Sequence, residues 1–308
     1  MTPTFSELAS LWKADKRQYI KPSSYAAYVH LLNRHLIPAF GTRNSISSQD
    51  IQDFVNTQLK LGLSAKFIKE MLMILKMILR YGAQSGAWKP IDSHIHFPTT
   101  AERQKVVQTL SGAEQSRLVH YLMEDLSCRN VGLMICLHCG LRIGEVCGLQ
   151  WKDLDLQTGE IHVRKTVYRI YLSDGEEKQY LLSVGAPKTP TSVRDIPITR
   201  SLMSVIRPLK KRANPEYYVL SNDNRPLEPR YYRDYFRTVL SRLDISPVRF
   251  HALRHSFATR CIESKCDYKT VSVILGHSSI STTMDQYVHP GYAEKKRCLD
   301  RMARLLNR

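Results

Sequence analysis

Residues 251–290 decide how this chain is read. They run His251-Ala252-Leu253-Arg254-His255-Ser256-Phe257-Ala258-Thr259-Arg260, then Leu275-Gly276-His277-Ser278-Ser279-Ile280-Ser281-Thr282-Thr283, and close on Tyr287-Val288-His289-Pro290. His251 and Arg254 are three apart and would project from one helix face. A histidine beside an arginine gives one proton-transfer group and one charge clamp facing the same anion. Gly276 suits a helix C-terminus, which leaves His277 just past that helix. Ser281 or Thr282 can cap the next helix. Ten residues after His277 comes Tyr287, one of 16 tyrosines. A tyrosine is usually a packing amphipath. It becomes a covalent catalyst only among groups that stabilise the charge it moves.

A second cluster lies upstream. Cys139-Gly140-Leu141-Arg142-Ile143-Gly144-Glu145 follows the apolar run from Val131 to His138. Arg142 and Glu145 are expected to share a helix face, with the carboxylate pairing the guanidinium and leaving part of its fork free for phosphate. Cys136 and Cys139 form a lone C-x-x-C. A structural zinc site wants four ligands, so Cys136, Cys139 and Cys147 read as small apolar residues. His94 and His96 have no third ligand at a suitable spacing and are set aside.

Length and charge bound the rest. The chain has 308 residues and 43% hydrophobic content, which favours two domains. Lys plus Arg is 45 against 28 Asp plus Glu, a formal charge of +17. Such an excess attracts a polyanion, and DNA or RNA is the usual one. No window approaches the ~18 apolar residues of a membrane span, and no secretory signal is read at the start. Seven cysteines, an odd count, fit a reducing compartment. The expected location is cytoplasmic.

Residues 1–100 read as a helical bundle. Phe5, Leu8, Leu11 and Trp12 recur at helical spacing, and Pro22 starts a second helix. Pro38 to Gly41 is expected to break the chain. Ser48 and Ser64 are expected to cap two further helices, the last carrying Phe67 to Leu79 as the centre of the bundle and closing at Gly82 and Gly86. Residues 101–108 read as a polar linker. Ser111 and Glu114 then match a capping box that opens a mixed domain over 109–308. Its strands are expected at Ile161–Val163, Tyr168–Leu172, Tyr180–Val184 and Arg194–Ile198, with a turn at Asp174-Gly175. The fold class is mainly α with a small β-sheet. Residues 292–308 repeat Tyr292, Cys298, Leu299, Met302, Leu305 and Leu306 at helical spacing among basic residues.

The order Arg142-x-x-Glu145, Lys188, His251-x-x-Arg254, His277, Tyr287 strongly resembles the tyrosine recombinase, or phage integrase, family. The resemblance covers essentially the whole second domain, and the helical first domain looks like the family's core-binding module. It implies a helical core-binding domain followed by a mixed α/β catalytic domain. It implies that Arg142 and Arg254 grip a scissile phosphate, that His251 has an acid–base and phosphate-contacting role, and that His277 packs or hydrogen-bonds beside the phosphate. Tyr287 matches the nucleophile and Glu145 the carboxylate that orients the site. Lys188, in Pro187-Lys188-Thr189-Pro190, resembles the β-hairpin lysine that protonates the leaving 5′ oxygen, with Lys178 and Lys165 as rivals. The partner implied is double-stranded DNA at specific sites, with a homotetramer on synapsed DNA joined through the helix 292–308, and a directionality factor as a further partner to be sought.

The chemistry is consistent with that resemblance. Arginines and histidines can stabilise the charge on a phosphodiester in its transition state without a metal. No acidic cluster suited to Mg²⁺ and no phosphate-cradling G-x-x-x-x-G-K-[ST] is found, so neither metal nor ATP is expected as a cofactor. The clustered cations are expected to lower the phenol pKa from ~10. Within the family the segment Tyr168 to Ala186 and the Tyr287-Val288-His289-Pro290 ending favour the integrase of a mobile element. The rivals are a Xer-like resolution recombinase, a catalytically silent DNA-binding regulator and a type IB topoisomerase.

Overall fold

A computed structural model describes residues 2–89, 94–98, 108–172, 179–187, 189–288 and 292–306. The chain divides into two compact units, residues 1–104 with 169–181 and residues 105–168 with 182–308. Among the described residues no helix is long and apolar enough to cross a membrane.

The first unit is a helical bundle. Helix α1 spans Phe5–Lys16, α2 Pro22–Leu31, α3 Ile37–Phe40, α4 Ser48–Lys60 and α5 Ala65–Gln84. Helix α5 is the centre, with Ile68, Met71, Leu72, Ile74, Leu75, Ile78 and Leu79 all buried. Phe5, Trp12, Phe40 and Phe54 pack with them. Two local expectations need correction. The expected break over Pro38 to Gly41 comes only at its end, where the helix stops at Phe40; Pro38 itself does not break it, because a five-residue π turn at Leu32–Leu36 precedes it. The wider turn starts a new helical segment with Pro38 in its first turn, where a missing N–H costs no intrahelical bond. The cap of α4 is Ser47 rather than Ser48. Ser47 Oγ accepts from the Asp50 amide at 3.1 Å, and the Asp50 carboxylate accepts from the Ser47 amide at 2.8 Å. The reciprocal partner three residues on selects Ser47. Helix α5 also runs past Gly82, which is buried within it.

The second unit opens as read. Ser111 and Glu114 close a capping box on α6, Gly112–Glu124. Helix α7, Cys128–Cys139, is buried on nearly all sides, which is why its sequence is apolar without a stripe. Helix α8 is Ile143–Cys147. Along the chain follow strands β1 Leu154–Asp155, β2 Glu160–Val163, β3 Thr166–Leu172, β4 Gln179–Gly185 and β5 Arg194–Pro197, of which β3 and β4 carry residues 169–172 and 179–181 that cluster with the first unit. One sheet has the order β1-β2-β5 and the other pairs β3 with β4. The β2–β5 pair is antiparallel, with Ile161 opposite Ile196. The turn expected at Asp174-Gly175 lies outside the described residues. Helices α9 Arg200–Lys210, α10 Pro229–Arg242, α11 His251–Glu263, α12 Tyr268–Leu275, α13 Ile280–Tyr287 and α14 Tyr292–Leu306 complete the unit. Trp151, Tyr232, Phe236 and α7 share the main core. Cys136, Cys139 and Cys147 lie inside it, and burial pushes their thiols well up, Cys139 to about 12. They behave as apolar residues. On α14, Tyr292, Leu299 and Met302 are exposed.

Candidate active site

Two helices of the second unit end in the same way, and the site grows from their ends. Helix α7 stops at Gly140 and α12 at Gly276, both left-handed at φ 63° and 66°. That conformation costs a residue with a Cβ but not glycine. A Cβ would also collide, with Phe257 at 2.6 Å for Gly140 and with the Thr191 carbonyl at 2.9 Å for Gly276. The two glycine carbonyls are then free to accept. Arg254 Nη1 donates to Gly140 O at 2.9 Å, and Arg142 Nη2 donates to Gly276 O at 3.1 Å. The negative ends of two helices thus hold the two arginines.

Arg142 is not on the face of α8, as its spacing from Glu145 predicts. It is the N-cap, with extended backbone, and its amide donates to Glu145 Oε2 at 2.9 Å. Its Nη1 donates to Glu145 Oε1 at 2.8 Å. The pair therefore forms, but through a capping geometry that fixes the arginine more tightly than a helix-surface pair would. Glu145 is buried, and Arg194 from β5 grips it from a second direction, Nη2 to Oε2 at 2.9 Å and Nη1 to Oε1 at 3.1 Å. Arg194 also donates from Nε to Ile274 O at 2.5 Å and from Nη1 to Ser192 O at 3.0 Å. Burial alone would raise the Glu145 carboxyl. The hydrogen bonds and charge of Arg194, then of Arg142, outweigh it and hold the pKa below the usual carboxylate value. Arg194 thereby joins β5, α8 and the end of α12 in one knot.

Arg254 is 1% exposed, yet its Nε and Nη2 have no hydrogen-bond partner among the described residues. Burial and then the positive charge of Arg142 push its pKa down to about 9. A buried cation with unmet donors is costly unless an anion arrives to meet them. His251 is exposed at the start of the same helix, but loss of water around its ring, followed by the charges of His255, Arg254 and Arg142, pushes its pKa down to about 4. His277 is driven to about 4 by burial and then by Arg254 and Arg142. Its Nδ1 lies 2.8 Å from the Thr283 hydroxyl. The next helix is capped by Ser279, which accepts from the Ser281 amide at 3.2 Å, and not by Ser281 or Thr282.

Tyr287 is the last residue of α13 and is 8% exposed. Its hydroxyl is 2.6 Å from His255 Nδ1. Arg254 and Arg142 do pull its pKa down, but burial wins and pushes it up to about 12. The expectation of a lowered phenol pKa thus fails, because the water removed around the hydroxyl outweighs the charges of the two arginines.

The structure brings Arg142, Glu145, Arg254, His277, His251 and Tyr287 into one network of contacts and fields. Lys188 and its rival Lys178 lie outside the described residues. The other rival, Lys165, donates to Gln150 Oε1 at 2.5 Å. Sequence reading missed Arg194, Thr283 and His255 as parts of the site. Arg194 was read as the start of a strand. An arginine at the first residue of an alternating strand, on the side of buried Ile196, was the available signal.

Comparison with known proteins agrees with this geometry. The family model "Phage integrase family" matches residues 104–294, and "Phage integrase, N-terminal SAM-like domain" matches residues 4–59. The chain is 28% identical to a "Tyrosine recombinase XerC-like" protein of Caldanaerobacter subterraneus subsp. tengcongensis, over 93% of this chain and 79% of that one. It is 26% identical to the "ICEBs1 integrase" of Bacillus subtilis, over 98% and 83%. The fold resembles the Tn1549 transposon integrase in complex with a circular intermediate DNA, with a TM-score of 0.75 and 20% identity over 97% of this chain and 99% of that one. It also resembles a lambda integrase dimer bound to a COC′ core site, with a TM-score of 0.63 and 17% identity over 91% and 97%. With its catalytic unit matched almost from end to end, the chain belongs to the phage integrase family and is a tyrosine-type site-specific DNA recombinase.

Proposed function

We propose that this recombinase integrates and excises a mobile element by transient 3′-phosphotyrosyl bonds, with Tyr287 as the nucleophile. Arg142 and Arg254 take the non-bridging oxygens of the scissile phosphate. His251 and His277 contact the same phosphate as neutral rings, Glu145 orients Arg142, and Lys188 protonates the leaving 5′ oxygen. The observation that carries the reading is Arg254, a buried guanidinium with two donors lacking partners among the described residues, beside a half-buried Arg142. A dianionic transition state would meet donors already aimed and already desolvated. The reaction runs without metal or ATP in this scheme, because the arginines supply the charge and the phosphotyrosine conserves the energy of the broken link.

The basic first unit holds duplex DNA with the second. Lys69, Lys76 and Arg80 line one groove of α5 there, with Met73, Met77 and Phe97 between them. The likeness to the ICEBs1 integrase along 98% of the chain supports the mobile-element role, and the likeness to the XerC-like protein keeps Xer-like resolution as the alternative reading. The homotetramer forms on synapsed DNA through α14, whose exposed Tyr292, Leu299 and Met302 are a stripe in want of a partner. The enzyme acts in the cytoplasm, and a directionality factor would bias integration against excision.

The test is a nicked suicide duplex carrying the sequence that the protein itself selects from a random pool. The wild type traps a covalent adduct on a denaturing gel in EDTA, and Tyr287→Phe binds the duplex but traps none. Equal adducts from both proteins would remove Tyr287 from the chemistry, and a requirement for Mg²⁺ would remove the metal-free scheme.

A further inference from the structure

A nucleophilic tyrosine needs somewhere to put its proton, and the buried environment of Tyr287 makes that need acute. The side chain is almost closed to water, and burial pushes its pKa up to about 12. At pH 7 the hydroxyl therefore keeps its proton. Its hydrogen-bond partner is His255 Nδ1, at 2.6 Å, which accepts when the ring proton sits on Nε2. The two rings stand 5.6 Å apart, tilted by 54°. That distance is within the reach required of a general base before any substrate arrives.

The sequence places His255 there for a simple reason. It lies four residues after His251, one turn further along α11, so both histidines share a face. Their rings meet edge to face at 4.5 Å. Arg254, between them in sequence, is buried among the cations. Helix α13 brings Tyr287 to this end of α11 from 32 residues downstream. Among the described residues, the titratable and charged groups that face His255 are His251 and Arg254 on its own helix and Tyr287 from α13. Burial, then the charge of Arg254, holds the His255 ring below its usual pKa. It is neutral near pH 7, and in the tautomer with its proton on Nε2 it offers the phenol a lone pair on Nδ1. His277 is bound instead to Thr283. The phenol bonds to His255 and not to His251.

We propose that His255 is the proton acceptor for Tyr287, a catalytic residue additional to the six carried by the family pattern. The inference rests on Tyr287 being the nucleophile. In cleavage the Tyr287 O–H bond breaks and its proton forms a bond to His255 Nδ1. A lone pair of the phenolic oxygen forms the bond to phosphorus. The bond from phosphorus to the 5′ oxygen breaks, its electron pair leaves with that oxygen, and the cationic acid assigned to Lys188 supplies the oxygen's proton. In rejoining, the 5′ hydroxyl returns its proton to the amine assigned to Lys188 and its oxygen bonds to phosphorus, the bond from phosphorus to the phenolic oxygen breaks, and His255 returns its proton to that oxygen. A neutral base suits the site, because His255 becomes positive while a negative charge builds on the phosphate beside it.

The experiment compares wild type, His255→Gln, His255→Asn and Tyr287→Phe in single-turnover cleavage of the selected nicked duplex. Each is assayed with an ordinary 5′ oxygen and with a 5′-bridging sulfur at the scissile link. Glutamine and asparagine can accept the phenol's hydrogen bond but cannot take its proton. His255→Gln is expected to lower the cleavage rate roughly 100-fold or more, with duplex affinity and circular dichroism unchanged. Its log rate should climb with pH across about 7 to 9.5, as hydroxide takes over the deprotonation, while the wild type stays level there. The sulfur substrate should not restore the variant, because a thiolate leaves without an acid and repairs only a missing acid. A rate within about threefold of wild type, or a faster one, would overturn the proposal. So would full rescue by the sulfur substrate, which would put His255 on the leaving group. If His255→Gln does not bind DNA, the same readings are taken on His255→Asn. Absence of any wild-type adduct is a separate outcome that removes Tyr287, and His255 with it.

Discussion

Replacing Arg194 by methionine should unravel the site from a residue that touches no substrate in the scheme above. The side chains of Arg194 and Glu145 are 4% and 3% exposed, so water screens little of their interaction. The change deletes two charge-assisted hydrogen bonds to Glu145 and leaves the Ile274 and Ser192 carbonyls without their donor. Removing one partner of a buried ion pair costs about 3–5 kcal/mol. The lower end applies, because Glu145 keeps Arg142. A loss of ~3 kcal/mol in a unit of this size corresponds to a fall of roughly 6–12 °C in Tm. The chain has three tryptophans. Urea unfolding of the full chain with Trp12 and Trp88 changed to phenylalanine leaves Trp151 to report the second unit. Arg194→Met combined with Glu145→Gln should lose less than the sum of the two, by about 1–3 kcal/mol of coupling. A loss below ~1 kcal/mol, or strict additivity, would show that Arg194 does not hold the carboxylate. Cleavage of the nicked duplex should fall in Arg194→Met and recover partly in Arg194→Lys, which keeps the charge but not the fork.

Gly276→Ala should destabilise by about 2–3 kcal/mol, because its Cβ adds a clash with the Thr191 carbonyl to left-handed strain. Gly86→Ala, equally left-handed but in open space, should lose only ~1 kcal/mol, and equal losses would refute the steric part. Arg254→Lys should keep the fold and bind DNA yet cut adduct formation by more than ~100-fold, since an ammonium cannot offer parallel donors to a phosphate; near-normal cleavage would refute the clamp. His277 has a folded pKa of about 4 against the ordinary histidine value of 6.5. The folded protein thus refuses a proton that the unfolded chain accepts, so this stabilisation is complete above about pH 6.5 and is lost as pH falls towards 4. Urea midpoints measured over that window should slope less in His277→Asn, and identical slopes would count against the buried ring.

What the sequence alone determined here is what depends on neighbours in the chain. Apolar periodicity placed α1, and apolar runs placed α5 and α7. Reciprocal Ser-x-x-Glu spacing placed the start of α6. A glycine ahead of His277 placed the end of α12. The spacing of His251, Arg254, His277 and Tyr287 carried the family. Some local rules failed where a second local feature intervened, as when the π turn carried the helix through Pro38 and Ser47 took the cap from Ser48. The tertiary structure alone decided which donor meets which acceptor. Arg194 reaches Glu145 across 49 positions, Arg142 reaches Gly276 across 134, and His255 meets Tyr287 across 32. It also decided the sign of the Tyr287 shift, since charge can be counted along a chain but the water removed around a phenol cannot. Hydrogen bonds and desolvation are short-ranged in space and indifferent to sequence distance, so the residues that tune this site become visible only once the chain has folded around them.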